Sequence, residues 1–317
     1  MTSDERSVPG DPVMRYRQRC PSCLEAQATL LLEEPFDSPA MQHYFADHYE
    51  GRASIDCLAG QTYQLLRCSR CALAYQRAVP SDWLLGQLYD RWIPLSERER
   101  LRRAYTLNSY RYWAEQVEFL ILFLNKPPHA VKVLDFGLGW GEWARMAQAY
   151  GCEVTGAELS KERIENAQHF GIPIIGGDEL SNHRFDFINT EQVFEHLTEP
   201  REILQLLAAC LSDRGLIKLS VPNARKTLRR VAGGALFGKL SARAIMPIAP
   251  LEHLNCFDHD TLVALAAQCG LRVVRPSFLK LCNGASGWFS LRRAAHLLVR
   301  PLYRHFYPKS TFVYFSK

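Results

Sequence analysis

Val131-Lys132-Val133-Leu134-Asp135-Phe136-Gly137-Leu138-Gly139-Trp140-Gly141-Glu142-Trp143 is the stretch whose pattern decides the fold of this 317-residue chain. An apolar run suited to a buried strand ends in an acidic residue. Three glycines follow at alternate positions, and a helical pattern begins at Glu142. Alternate glycines let the backbone turn tightly and approach a ligand without interference from Cβ. The spacing is G-x-G-x-G. In the dinucleotide fingerprint G-x-G-x-x-G the third glycine would stand where this chain has Glu142. A carboxylate in the first helical turn repels the pyrophosphate that a helix N-terminus attracts. The pattern therefore favours a cofactor without phosphates.

Outward from this stretch, strands and helices alternate. Glu142 to Tyr150 reads as a helix, and Cys152-Glu-Val-Thr-Gly-Ala-Glu158-Leu-Ser as a second strand ending in a carboxylate. In dinucleotide-type folds an acid at that position accepts hydrogen bonds from ribose hydroxyls. Strands are predicted at 131–136, 152–158, 172–175, 185–190, 215–221, 271–279 and 311–316, and helices at 140–150, 160–170, 200–211 and 259–269. Strands separated by helices of this length imply right-handed crossovers and a parallel sheet. Residues 224–250 and 284–307 stand outside the alternation as insertions.

Asp135, Gly137, Gly139, Gly141 and Glu158 together resemble the first motif and the ribose-binding acid of the class I S-adenosylmethionine-dependent methyltransferases. The resemblance covers roughly residues 130–280 and extends to Gly177-Asp178-Glu179-Leu180 after the third strand. It continues in Phe185-Asp-Phe-Ile-Asn-Thr-Glu191-Gln192-Val-Phe-Glu195-His196-Leu-Thr-Glu-Pro200, in Gly215-Leu-Ile-Lys-Leu-Ser-Val-Pro222-Asn223 and in Leu251-Glu252-His253-Leu-Asn255-Cys-Phe257. It implies a Rossmann-like α/β fold, with a seven-stranded, mostly parallel sheet, helices on both faces and the last strand antiparallel. It also implies S-adenosylmethionine bound by Asp135, Gly137, Gly139, Gly141, Glu158, Asp178 and Glu179, with Asp178 at the adenine amino group. These residues fall at C-terminal strand ends, where open α/β sheets bind ligands.

Methyl transfer from a sulfonium is an in-line displacement, so alignment supplies much of the rate. A hydroxyl or carbon acceptor must also lose a proton, and histidine suits that work near neutral pH. His196 is the first candidate base, with Glu195 beside it, and His253 is the second. The alternative is that Glu195 and His196 only support a helix start or a substrate loop. In the ubiquinone-pathway O-methyltransferases the related segment is E-x-x-E-H and binds a divalent metal. Here Gln192 replaces the first acid, and amides are weaker ligands for hard cations than carboxylates. Transfer without a catalytic metal is the expectation.

Cys20-Pro-Ser-Cys23 and Cys68-Ser-Arg-Cys71 form two C-x-x-C pairs, the second on a predicted hairpin from Tyr63 to Tyr75. Two such turns present four thiolates to one tetrahedral zinc. The alternative is two unrelated thiol pairs, and Cys57 between them is a spare candidate ligand. The arrangement resembles the N-terminal zinc module of some sugar C-methyltransferases and related natural-product or polysaccharide methyltransferases.

The organisation read from these signals is a disordered tail over 1–18, a zinc-binding module over 19–80, a helical cap or linker over 81–128 and a methyltransferase domain over 129–317. No apolar run suits a membrane span, and Met-Thr-Ser-Asp-Glu-Arg lacks the basic then apolar order of a signal peptide, so a cytoplasmic protein is expected. The net charge of +5 hides an asymmetry, because residues 223–317 hold 15 Lys/Arg against 3 Asp/Glu. That balance suits an ordinary solvated surface, an acidic or phosphorylated acceptor, or an anionic membrane surface, while residues 287–307 mix apolar and basic positions and suit a membrane surface, a pocket cap or an ordinary packed helix. The expected acceptor is a small molecule: a sugar, a lipid-linked or a natural-product intermediate. A nucleic-acid methyltransferase ranks lower, because Asn189-Thr-Glu-Gln stands where an N-P-P-Y-type motif would follow the fourth strand. A non-catalytic, cofactor-binding scaffold is the third reading.

Overall fold

The computed structural model describes residues 12–93, 104–234, 237–275, 299 and 311–316. The chain forms two compact units. A sheet unit takes in Tyr105–Phe194, Glu199–Pro222 and Asp258–Lys317, and a cysteine unit takes in Met1–Ala104, Glu195–Thr198 and Asn223–Phe257.

In the sheet unit six strands are hydrogen-bonded: β1 (Lys132–Phe136), β2 (Glu153–Ala157), β3 (Phe185–Glu191), β4 (Leu211–Val221), β5 (Arg272–Val274) and β6 (Thr311–Ser316). Their order is β5-β6-β4-β3-β1-β2. β1, β2, β3 and β4 run parallel, while β6 lies antiparallel to both β4 and β5. The five helices described are α1 (Leu107–Leu124), α2 (Glu142–Ala149), α3 (Lys161–His169), α4 (Pro200–Ala209) and α5 (His259–Gln268). Val133, Leu134, Phe187 and Ile188 are fully buried, as a strand covered on both faces requires. Four helices turn an apolar stripe inward: Val117 and Leu120 on α1, Trp143, Ala144 and Ala147 on α2, Leu204 and Leu207 on α4, Leu262 and Leu265 on α5. Fully burying a valine or leucine side chain contributes about 1.5–3 kcal/mol. α5 starts at a capping box in which Asp258 and Thr261 satisfy each other's backbone N–H groups, at 3.0 and 2.9 Å. The chain leaves β1 for β2 on one side and pairs it with β3 on the other, so the C-terminal end of β1 lies at the switch point where such sheets open a crevice.

The strand expected at 172–175 is reduced to a single parallel bridge between Gly156 and Ile174. Pro173 has no N–H to extend a ladder, and Gly176-Gly177 follow at once. The predicted strand at 271–279 is described only over Arg272–Val274, residues 276–279 lying outside the described residues. The amphipathic reading of 287–307 also falls outside them, apart from residue 299.

The glycine loop shows why its residue types are needed. Gly137, Gly139 and Gly141 all lie at left-handed φ, 69°, 57° and 79°. A Cβ on Gly137 would stand 2.6 Å from Val193 Cγ2, whereas one on Gly139 would meet nothing within 4 Å. Val193 is stiff at χ1 and yields poorly. Gly137→Ala is therefore expected to cost about 2–4 kcal/mol, from left-handed strain plus overpacking. Gly139→Ala should cost only the strain, about 1–2 kcal/mol. Denaturant unfolding of both variants separates the two, and equal losses would remove Val193 as the cause.

The cysteine unit holds a four-stranded antiparallel sheet in the order 255–256, 74–76, 62–68 and 28–35. Residues 14–16 pair with 78–80 in a second, two-stranded sheet. Its core is aromatic, with Phe36, Phe45, Tyr49, Tyr63 and Trp92 all buried. Three sequence expectations change here. Met14–Tyr16 is a strand within the stretch expected to be a disordered tail, because Met14 is buried and the strand has a partner. Residues 223–257, assigned from sequence to the methyltransferase domain, join this unit instead. The helix Arg225–Ala232 buries Thr227, Leu228 and Val231, and Phe237, Ile245 and Ile248 enter the same core. The expected cap over 81–128 is likewise divided: Asp82–Gln87 and Leu88–Trp92 belong to the cysteine unit and α1 to the sheet unit. Among the described residues no helix is long and apolar enough to cross a membrane.

Candidate functional site

The sheet unit places Asp135 and Glu158 at the ends of β1 and β2. Glu158 follows β2 directly. One carboxylate oxygen accepts from Gly139 N–H at 3.0 Å, and the other accepts from the N–H groups of Leu159 and Ser160 at 2.9 and 3.0 Å. It thus ties the glycine loop to the N-terminal turn of α3. Asp135, near the end of β1, is 3% exposed and accepts from Asn189 Nδ2 at 2.7 Å. Burial pushes its carboxyl up to about 7, against the Asn189 bond and the positive charge of Lys218. Asp178 and Glu179 are exposed beyond the Gly156–Ile174 bridge, where a Glu179 oxygen accepts from Gly176 N–H at 3.1 Å.

In the cysteine unit Glu195, His196 and His253 come together, with one ligand-type atom from each within 4.8 Å of the others. The two imidazole rings meet edge-on with centroids 4.9 Å apart. His196 Nδ1 is 2.8 Å from the Glu252 carbonyl oxygen, which places a proton on Nδ1 and the lone pair on Nε2. That Nε2 lies 3.8 Å from a Glu195 carboxylate oxygen. His253 is 8% exposed, and burial, then the charge of His196, drives its pKa down to about 3, so it stays neutral near pH 7. Burial opposes ionisation of Glu252, but hydrogen bonds from His48 and Tyr49, each 2.7 Å, hold its carboxyl below the usual range.

Three residues to which the sequence assigned no role build this cluster. Buried Gln76 donates to the carbonyls of Ala249 and His253, at 2.8 and 3.0 Å, and accepts from Leu251 N–H at 3.2 Å, holding Leu251 at a left-handed φ of 67°. Arg17 donates to the carbonyls of Leu254, Leu197 and Thr198, at 3.1, 3.2 and 2.5 Å. Asn255 Nδ2 donates to Leu197 O at 2.7 Å, and its N–H donates to Glu195 O at 3.0 Å. The segments 195–198 and 249–255 are thereby stitched side by side.

The four cysteines Cys20, Cys23, Cys68 and Cys71 also converge, with sulfur atoms all within 4.8 Å of one another. Cys20 and Cys71 stand 3.6 Å apart, and Cys23 and Cys68 3.4 Å. Thiolates about 2.3 Å from one tetrahedral zinc would be roughly 3.8 Å apart. Each C-x-x-C turn closes the same way. Leu24 N–H bonds to Cys20 O and Ala72 N–H to Cys68 O, and both residues sit at a left-handed φ of 61°. The shared Cys20–Cys71 hydrogen bond pushes Cys20 up and pulls Cys71 down to about 5. Cys57 stands apart, its Sγ bonded to Ser54 O at 3.5 Å.

Comparison with known proteins bears on residues 100–275. The profile of a methyltransferase domain matches residues 100–275, more than half of the chain. The chain belongs to that methyltransferase family. It is 31% identical over 106 residues to a ubiquinone biosynthesis O-methyltransferase of Proteus mirabilis, covering 30% of this chain and 43% of that one. It is 25% identical over 195 residues to the protein of the same name in Bordetella avium, covering 51% and 75%. The chain thus spans less than half the length of the Proteus relative. A plantazolicin methyltransferase, BpumL, solved in complex with SAH, aligns over 73% of this chain and 92% of its own at 18% identity and a TM-score of 0.43.

The methyltransferase sheet carries further features that the pattern of the sequence did not mark. Leu159 is 98% exposed beside Glu158, an apolar side chain left bare at a strand end. Lys218 is fully buried within β4. A bare leucine or a strand lysine reads as noise in periodicity. Only its place in the sheet distinguishes it.

Proposed function

We propose that this methyltransferase moves a methyl group from S-adenosylmethionine to a small-molecule acceptor, a sugar, lipid-linked or other biosynthetic intermediate. The observation that carries the reading is the Glu158–Gly139 contact, an acidic strand end bonded to a left-handed glycine loop at the switch point of a parallel sheet. Bound S-adenosylmethionine supplies a methyl group already activated on a sulfonium. Gly137, Gly139 and Gly141 let the backbone approach it, and Glu158 takes the ribose hydroxyls. Leu159 offers an apolar face to the base, and Asp178 and Glu179 its polar edge. Asp135 anchors the root of the loop.

Acceptor activation falls to His196. Its Nε2 lone pair takes the acceptor proton, and Glu195 stabilises the imidazolium that forms. His253 packs against the ring as a neutral neighbour. Cys20, Cys23, Cys68 and Cys71 hold one structural zinc, which four thiolates leave with no open position. Arg225, Lys226, Arg229 and Arg230, all exposed on one helix, support an anionic acceptor.

Calorimetry with S-adenosylhomocysteine tests the cofactor half. Glu158→Ala should weaken binding by about 1.5–3 kcal/mol, the scale of hydrogen bonds to a charged group. Unchanged affinity in that variant, or tight binding of a nicotinamide cofactor to the wild type, would overturn the reading.

A further inference from the structure

Lys218 sits where a strand buried on both faces ordinarily places an apolar residue. Its neighbours Leu216, Ile217 and Leu219 are fully buried too. Its ammonium is held from three directions. Nζ donates to Gln116 Oε1 of α1 at 2.6 Å, to Asn189 Oδ1 of β3 at 3.1 Å, and to Glu191 Oε2. The strand register lines up Asp135 of β1, Asn189 of β3 and Lys218 of β4, so one polar row crosses three strands. Asn189 bridges the row with both ends of its amide, donating to Asp135 and accepting from Lys218. Glu191, at the end of β3, is one-third exposed (34%) and also accepts from Ser220 Oγ at 2.9 Å and from Tyr112 OH at 3.3 Å. Packing alone does not call for this arrangement, because a buried ion pair is commonly no more stabilising than apolar side chains of the same volume.

We infer that Lys218 is a positioning residue for the glycine-loop end of the site: it holds the Glu191 carboxylate and, through Asn189, the Asp135 carboxylate at the root of the loop. The inference rests on the reading of that end as a cofactor site. Asp135 meets Asn189 and Glu191 from β3, Lys218 from β4 and the Ala144 amide from α2, while Tyr112 and Gln116 of α1 close the row beyond. Lys218 and Glu191 act on Asp135 with opposite sign. The cation favours its ionised form, and the carboxylate favours its neutral form.

The opposed signs supply the test. The carboxyl ¹³C signal of Asp135, assigned against Asp135→Asn, is titrated in the ligand-free protein. Lys218→Met should raise the midpoint by about one pH unit or more, and Glu191→Gln should lower it. The double variant should fall between them. Glu191→Gln is nearly isosteric and part-exposed, so it keeps the test alive if Lys218→Met does not fold. A structural role alone would not move the two midpoints in opposite directions. Midpoints that stay put, or shift the same way, overturn the inference. Calorimetry with S-adenosylhomocysteine across pH completes it, and the pH at which affinity inflects should move with each midpoint. A wild type that binds none at any pH overturns the functional reading instead, whatever the titrations show.

Discussion

Cys20→Ser is expected to lose the zinc and with it the order of the cysteine unit. The wild type should carry one zinc per chain. Structural zinc in small modules binds with an apparent free energy of about 10–16 kcal/mol, and that energy is folding energy. Cys20 is fully buried, so the variant also leaves a hydroxyl in a cluster shaped for sulfur. Chelation of the wild type should have the same effect, loosening residues 20–76 before the parallel sheet. Hydrogen exchange resolved along the chain reads this directly, and metal analysis reads the stoichiometry. Substoichiometric zinc with all four thiols reactive would defeat the assignment. The strands paired with 62–68 should lose protection first, because β-type pairing at Cys68 is continuous with the metal turn.

His196→Ala should lower turnover by about 10²–10⁴-fold, the usual range for a positioned general base. Affinity for S-adenosylhomocysteine should stay nearly intact. The hydrogen bond from Nδ1 to Glu252 O fixes the tautomer, and Glu195 lies within reach of the cation that forms. His253 does not substitute as the base through protonation of its own near neutral pH, because burial holds its pKa to about 3. Equal turnover in wild type and variant would leave alignment as the whole mechanism. His196→Asn keeps a polar group at the carbonyl of Glu252 and separates loss of the base from loss of the loop.

Much of the fold was legible in the chain itself. Gly137, Gly139 and Gly141 announce their loop because left-handed φ is a property of single residues. β1, β3 and the helices between them announce themselves through apolar runs and stripes that repeat within a few residues. The two C-x-x-C pairs mark their turns for the same reason. The partners of those local signals were not legible. That β6 inserts antiparallel came from family likeness, and Pro173 cut the third strand to one bridge.

Sequence by itself determined the parallel core, its glycine loop and the two cysteine turns, because each is encoded in backbone sterics and short-range spacing. Tertiary structure alone decided what lies across long loops. It set Arg17 and Gln76 against segments about two hundred residues away, Leu254 standing 237 positions after Arg17. It carried residues 223–257 into the cysteine unit, because the apolar face of the helix at 225–232 finds its core there. It also set a lysine in an apolar strand at one end of a polar row that crosses three strands. An ammonium's partners are chosen by strand register, and register depends on how whole faces pack rather than on any local run of residues.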